Sequence, residues 1–184
     1  MHHYAKAIAY AFLHEFEDAN RERELFYKAV DRIPSNRKFF NNPARTILGV
    51  GEKMMEGEIA YHRGDHEKAF DLLREAVRRD DNLEYTEPWA WMHPPRHALA
   101  ALLAEQGRYA EAETLYRTDL GLTGALQRCA QHPDNVWALH GLVECLRQRD
   151  DRTELPDFKA RLEMALALTD TPVTSSCLCR VKVQ

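Results

Sequence analysis

A chain of 184 residues, 45% of them hydrophobic and 29% charged, is long enough to bury a sizeable core and ordinary in composition for a globular protein. Its net charge of −4 comes with the two signs interspersed, which argues against a nucleic-acid partner, because that would need a clustered basic face. No run approaches about 18 consecutive apolar residues and no apolar leader opens the chain, so no membrane partner is expected and a cytoplasmic location is.

Amphipathic periodicity predicts helices over roughly residues 3–13, 16–33, 44–63, 66–79, 95–106, 109–121, 134–148 and 155–169. Eight helices make four antiparallel pairs. On the second, Arg21, Arg23, Lys28 and Arg32 lie among acids and read as a solvated face. Breakers separate the helices: Pro34 with Ser35 and Asn36, Asn41 to Pro43, Gly64, Pro88, Pro94 with Pro95, Gly107, Pro133 and Pro156. Asp65 stands in an N-cap place, and Asp134 at the head of the seventh helix, where its charge suits the dipole. Residues 1–170 are thus expected to form one helical repeat domain and residues 171–184 a non-helical tail. That tail is either disordered or laid back on the helices through Val173, Leu178 and Val181.

A glycine and alanine pattern recurs about every 40 residues, each time around the bend between two helices. One copy runs Gly57, Tyr61, Gly64, Ala69, Leu73, Ala76; the next runs Leu99, Ala100, Leu103, Gly107, Tyr109, Ala112, Tyr116. A third begins at Trp137 and Gly141 and resumes at Phe158, Ala160, Met164 and Ala167, across a turn lengthened by Asp150, Asp151 and Arg152. A divergent copy opens the chain with Ala9, Leu13, Ala19, Phe26 and Ala29. Small residues at a helix crossing let two backbones approach while large ones a turn away fill the gap, so Gly57, Ala69, Ala100, Ala112 and Gly141 are expected at buried crossings.

These residues together resemble tetratricopeptide repeats, which implies an all-α, tetratricopeptide-like solenoid of about four antiparallel helix pairs. The period exceeds the family's roughly 34 residues by about seven to nine. Three positions depart from the pattern: Glu56 stands for a leucine, Asp119 for the second alanine and His140 for a leucine. More narrowly, the chain is similar to the C-terminal half of longer bacterial and fungal tetratricopeptide-repeat proteins. The segments that carry this likeness are Pro88 to Met92, Cys129 to Gly141 and Cys177 to Arg180. It implies that upstream repeats are missing here, and an uncapped solenoid end favours self-association.

The resemblance also implies which side chains face the concave groove: Glu58, Tyr61, His62, His97, Ala101, Asn135 and Leu142. Residues 82–97 concentrate Tyr85, Trp89, Trp91, Met92, His93 and His97, a long aromatic connection expected to fold over the repeats. It is either a plug completing the core or a wall of a ligand site, in which case Trp89, Trp91 and His97 share a cavity with Glu58.

Cys129, His132 and His140 in the third linker region, with Cys177 and Cys179 in the tail, are soft donors suited to zinc or copper, and the tail pair is expected to approach the others. Cys145 reads as core. Cys177 and Cys179 are too close in sequence to be expected to pair with each other. A nucleophile reading would pair Cys129 with His132 or His140, oriented by Asn135. No phosphate-cradling glycine loop, nucleophile elbow or zinc-helix motif is present, so no reaction is identified. The function expected is a helical-repeat binding scaffold that holds a protein or peptide segment or a small molecule in its groove. The rival is a metal-dependent enzyme or metal-binding protein.

Overall fold

A computed structural model of the chain describes residues 1–180. It is all-α. Eight α-helices run through the described residues: α1 (His2–Phe12), α2 (Phe16–Asp31), α3 (Ala44–His62), α4 (His66–Asp81), α5 (Pro95–Glu105), α6 (Tyr109–Asp119), α7 (Val136–Gln148) and α8 (Leu155–Leu166). Among the described residues strands are confined to a small hairpin, β1 (Lys38–Phe39) and β2 (Asn42–Pro43), and short 3-10 turns stand at Arg128–Ala130 and Leu178–Arg180. No helix among them is long and apolar enough to cross a membrane. The chain divides into two units, Met1–Pro95 and Arg96–Gln184.

The four short bends, between α1 and α2, α3 and α4, α5 and α6, and α7 and α8, share one geometry. His14, Gly64, Gly107 and Asp150 all take a left-handed backbone, with φ of 61°, 87°, 75° and 53°. Each donates its N–H to the carbonyl three residues back, and the following residue donates to the carbonyl five back, as Asp65 does to Ala60 at 3.0 Å and Asp151 to Leu146 at 3.0 Å. This C-terminal motif satisfies orphan helix carbonyls and sets the return angle. Glycine adopts it freely, and a Cβ at Gly64 or Gly107 would meet nothing within 4 Å, so only the backbone conformation selects glycine there. One turn into the next helix comes an alanine, Ala19, Ala69 or Ala112, fully buried in each case.

In the first unit α1 packs on α2 and α3, and α3 on α4. Ala7, Ala11, Ala19, Phe26, Met55 and Ile59 form a core cluster. Gly57 lies against Leu73 of α4, whose Cγ would stand 2.8 Å from an added Cβ. Asn42 of the hairpin is buried and clamps the chain after α4, donating to the Glu84 carbonyl at 2.7 Å and accepting its N–H at 2.8 Å.

In the second unit α7 packs on both α6 and α8. Most of α5, from Ala98 to Ala104, is buried all round, as expected of an apolar helix without a polar face. Glu113 of α6 takes Arg117 of its own helix and Arg149 beyond α7, and Arg117 reaches on to Glu154 at the head of α8. Asn135, not Asp134, caps α7: its side chain accepts from the N–H groups of Trp137 and Ala138, while Asp134 pairs with Arg161 of α8.

The five small residues expected at helix crossings are all buried. Leucine at Ala112, which is fully buried, is expected to lower stability by about 1–3 kcal/mol through overpacking. Thermal melts of Ala112→Leu check this, and an unchanged midpoint would mean that α6 does not present Ala112 to a packed interior.

Candidate functional site

Among the buried acids, Glu22 is paired with His3 and Lys6 and Glu113 with two arginines, which leaves one in each unit in a different setting. In the first it is Glu58. Gly51, Met54 and Glu58 follow one another on α3 at helical spacings of three and four, which places them on one stripe. Over this stripe lie Tyr4 of α1 and Trp91 of the segment after α4. The two rings meet edge to face with centroids 5.3 Å apart. The Trp91 Nε1–H points to the Met54 sulfur at 3.1 Å, and the Tyr4 hydroxyl points to the same sulfur at 3.8 Å. Gly51 makes the room: an added Cβ would stand 2.3 Å from Trp91 Cη2.

Glu58 is 4% exposed, and among the described residues no side chain donates to its carboxyl or pairs with its charge. Burial alone pushes its pKa up to about 7. Burial, and then the nearby Glu58 carboxylate, raise the Tyr4 phenol above its usual range. An acid held in this way is neutral in acidic solution, and its ionised form gains strongly from any cation delivered to it.

In the second unit the acid is Asp119, at the last position of α6 and fully buried. Its Oδ2 accepts from His97 Nε2 of α5 at 2.8 Å, and its Oδ1 from His132 Nδ1 at 2.8 Å. Its backbone carbonyl also accepts the His132 N–H at 2.7 Å. A carboxylate at a helix C-terminus faces the negative end of the dipole and, when buried, loses its water as well. Burial raises its pKa, but the hydrogen bonds from His132 and His97 outweigh that and hold it at about 2. Since an ionised carboxylate can only accept, the ring protons sit on Nε2 of His97 and Nδ1 of His132. The carboxylate thereby fixes the tautomer and the orientation of both imidazoles.

No family model, curated protein or solved structure matches the chain. The functional reading therefore rests on these side chains.

The residues expected to line one groove have separate duties. Trp91 is the buried plug, whereas Trp89 is 49% exposed and does not share its cavity. Tyr61 stacks on His66 at 4.7 Å. His62 meets Phe12 edge to face at 5.3 Å, at the end of α1. His97 is taken by Asp119, and Asn135 by its capping role. Alanine at Ala101 and leucine at Leu142 are buried, packing residues rather than groove lining.

The five soft donors do not meet as one ligand set. Among the described residues no group of three or more His, Cys, Asp or Glu side chains is arranged to hold a metal ion. Cys129 is exposed and points to Gln127, His132 bonds Asp119, and His140 sits half-buried on α7, where burial depresses its pKa. Cys177 and Cys179 are joined to each other, contrary to the expectation from their closeness in sequence. A turn brings their Cα atoms to 5.2 Å, well inside the span a disulfide bridges. The tail does lie back on the helices, but through Ser176 and Arg180; Leu178 is 71% exposed and Val181 lies outside the described residues.

Two departures from the repeat pattern find their reason here. Glu56 accepts from Tyr27 of α2 and pairs with Lys53. Asp119 anchors the two histidines, a role that alanine could not fill.

Proposed function

We propose that the chain is a binding scaffold of tetratricopeptide-like build, and that its first unit holds a peptide segment or small ligand by a cationic group placed at Glu58. The single observation behind this is the buried Glu58 carboxyl, which has no charge partner among the described residues and whose pKa burial pushes to about 7. A buried acid without a partner weakens a fold, and an arriving ammonium or guanidinium would turn that cost into affinity. Tyr4, near enough for the Glu58 charge to act on its phenol, and Trp91 packed against Tyr4 are rings of the kind that favour a cation. The shared geometry of the four bends supports the repeat build. The rival reading, a metal-dependent enzyme or metal-binding protein, has no ligand cluster among the described residues to rest on.

Calorimetric titration of the full chain with lysine- and arginine-terminated peptides and simple polyamines tests this proposal. Wild type is expected to bind at least one of them, with affinity rising from pH 6 to pH 8 as Glu58 ionises and with proton release on binding. Glu58→Gln is expected to weaken the same ligand about tenfold or more at pH 8. Binding that is equal in the two proteins, or the failure of every cation to bind, would overturn it.

A further inference from the structure

Cys177 and Cys179 form a disulfide that spans a single intervening residue. A bridge stabilises a protein chiefly by restricting the unfolded chain, and the gain is least for the shortest loop. As a staple it therefore does little, and its two sulfurs are not equivalent. Cys177 is 3% exposed, and its Sγ accepts the backbone N–H of Cys179 at 3.2 Å. Cys179 is half-buried, the more exposed of the two.

The flanking residues hold the pair in place independently of the bridge. On one side the Tyr116 hydroxyl donates to Ser176 Oγ at 2.7 Å, inside the second unit. On the other, the Arg180 guanidinium grips the Glu144 carboxylate of α7 with two hydrogen bonds, at 2.8 and 2.9 Å. Opening the bridge leaves both anchors intact, so the sulfurs stay within reach of one another.

We propose that Cys177 and Cys179 are a thiol–disulfide exchange site, with Cys179 the sulfur that receives an incoming thiolate, Cys177 the leaving group, and a small monothiol the co-substrate. In the first step a thiolate attacks Cys179 Sγ in line with the bridge. A new S–S bond forms to Cys179, the Cys177–Cys179 bond breaks, and its electron pair leaves on Cys177. The Cys179 N–H that already points at Cys177 Sγ stabilises that thiolate. A second monothiol then attacks its own kind in the mixed disulfide and frees Cys179. Two monothiols are oxidised to one disulfide and one protein disulfide is reduced to two thiols, the two protons passing from the monothiols to the cysteines. The reverse sequence restores the bridge.

The test uses the full chain carrying Cys129→Ser, because exposed Cys129 would itself react. The protein is exposed to graded ratios of reduced to oxidised glutathione, quenched with an alkylating agent and mapped by mass spectrometry. The expected result is complete and reversible reduction of the bridge with the glutathione adduct trapped on Cys179. With Cys177→Ser added, oxidised glutathione should modify Cys179 at least tenfold faster than it modifies Cys177 when Cys179→Ser is added instead. Circular dichroism shows whether each serine variant is folded, and if one is not, the adduct site in the parent chain decides. A bridge that resists excess reduced glutathione in the folded protein, or an adduct on Cys177 or shared equally, would overturn the proposal.

Discussion

Alanine at Gly141 is expected to lower stability by about 3 kcal/mol or more, a fall of roughly 10 °C in the melting temperature for a chain of this size. Gly141 lies on α7 where the Tyr116 ring of α6 crosses it face on. An added Cβ would stand 2.1, 2.4 and 2.6 Å from three atoms of that ring. Tyr116 is fully buried, and its hydroxyl is fixed to Ser176, so the ring cannot swing aside without breaking a buried hydrogen bond. Gly57 is the contrasting case, because its nearest neighbour is the end of a flexible Leu73 side chain and the expected loss there is smaller. Thermal or urea melts of Gly141→Ala, Tyr116→Leu and the double variant settle the matter. The two substitutions should be strongly non-additive, since removing the ring removes the clash. Additive losses would place the cause somewhere other than this contact.

Gly141 was legible in the sequence as a small residue at a crossing, and Tyr116 as a large one a turn away from a small one. What the sequence does not carry is that these two face each other, because their pairing depends on the angle at which α6 meets α7. The bends show the same division. Gly64 and Gly107 announce a left-handed residue because glycine alone adopts it without cost. His14 and Asp150 hold the same conformation but carry no such signal. Asn135 had the type and place of a cap, after Pro133 and before an apolar run, yet the repeat register assigned it to the groove; the orphan N–H groups at the head of α7 took precedence.

The acid sites were legible in fragments. Asp119 stood out as a departure from the alanine expected in the repeat, while His97 and His132 were drawn to other duties, one to a groove and the other to a metal. They lie 22 and 13 residues from Asp119 in the chain, and no local spacing reports a meeting made by the end of one helix, the start of another and a loop. Glu58 was placed on the right helix, but the Tyr4 phenol that feels its charge lies more than fifty residues earlier, and its own sequence context gives no hint of the meeting. The disulfide was missed because closeness in sequence was taken to oppose pairing, whereas the turn at Leu178–Arg180 brings the two residues to a bridging distance.

Alanine at Asp119 is expected to cost about 3–5 kcal/mol, since it leaves His97, itself 3% exposed, and His132 without the charged acceptor that both were oriented to meet. Asparagine keeps the shape and one acceptor oxygen, so its cost should be smaller. The sharper test is the pH dependence. The folded pKa of Asp119 lies at about 2, below the ordinary aspartate value of 3.8, so its stabilisation is fully present above pH 4 and is lost as the pH falls through 2. That loss amounts to about 2 kcal/mol in wild type and should vanish in Asp119→Asn. Glu58 acts in the opposite sense. With a folded pKa of about 7 against the ordinary glutamate value of 4.5, its contribution is greatest below pH 4.5 and is lost as the pH rises through 7. That second loss is about 3 kcal/mol and should vanish in Glu58→Gln. The two acids alone therefore put the stability maximum of wild type near pH 4 to 5. Urea melts from pH 2 to pH 9 on the three proteins resolve both limbs. Glu22 and Glu75, whose pKa values are lowered chiefly by hydrogen bonds from Lys6 and Arg79, keep part of the acid limb in every variant, so the decisive result is the difference: an acid limb as deep in Asp119→Asn as in wild type would mean that the histidines do not hold this carboxylate ionised.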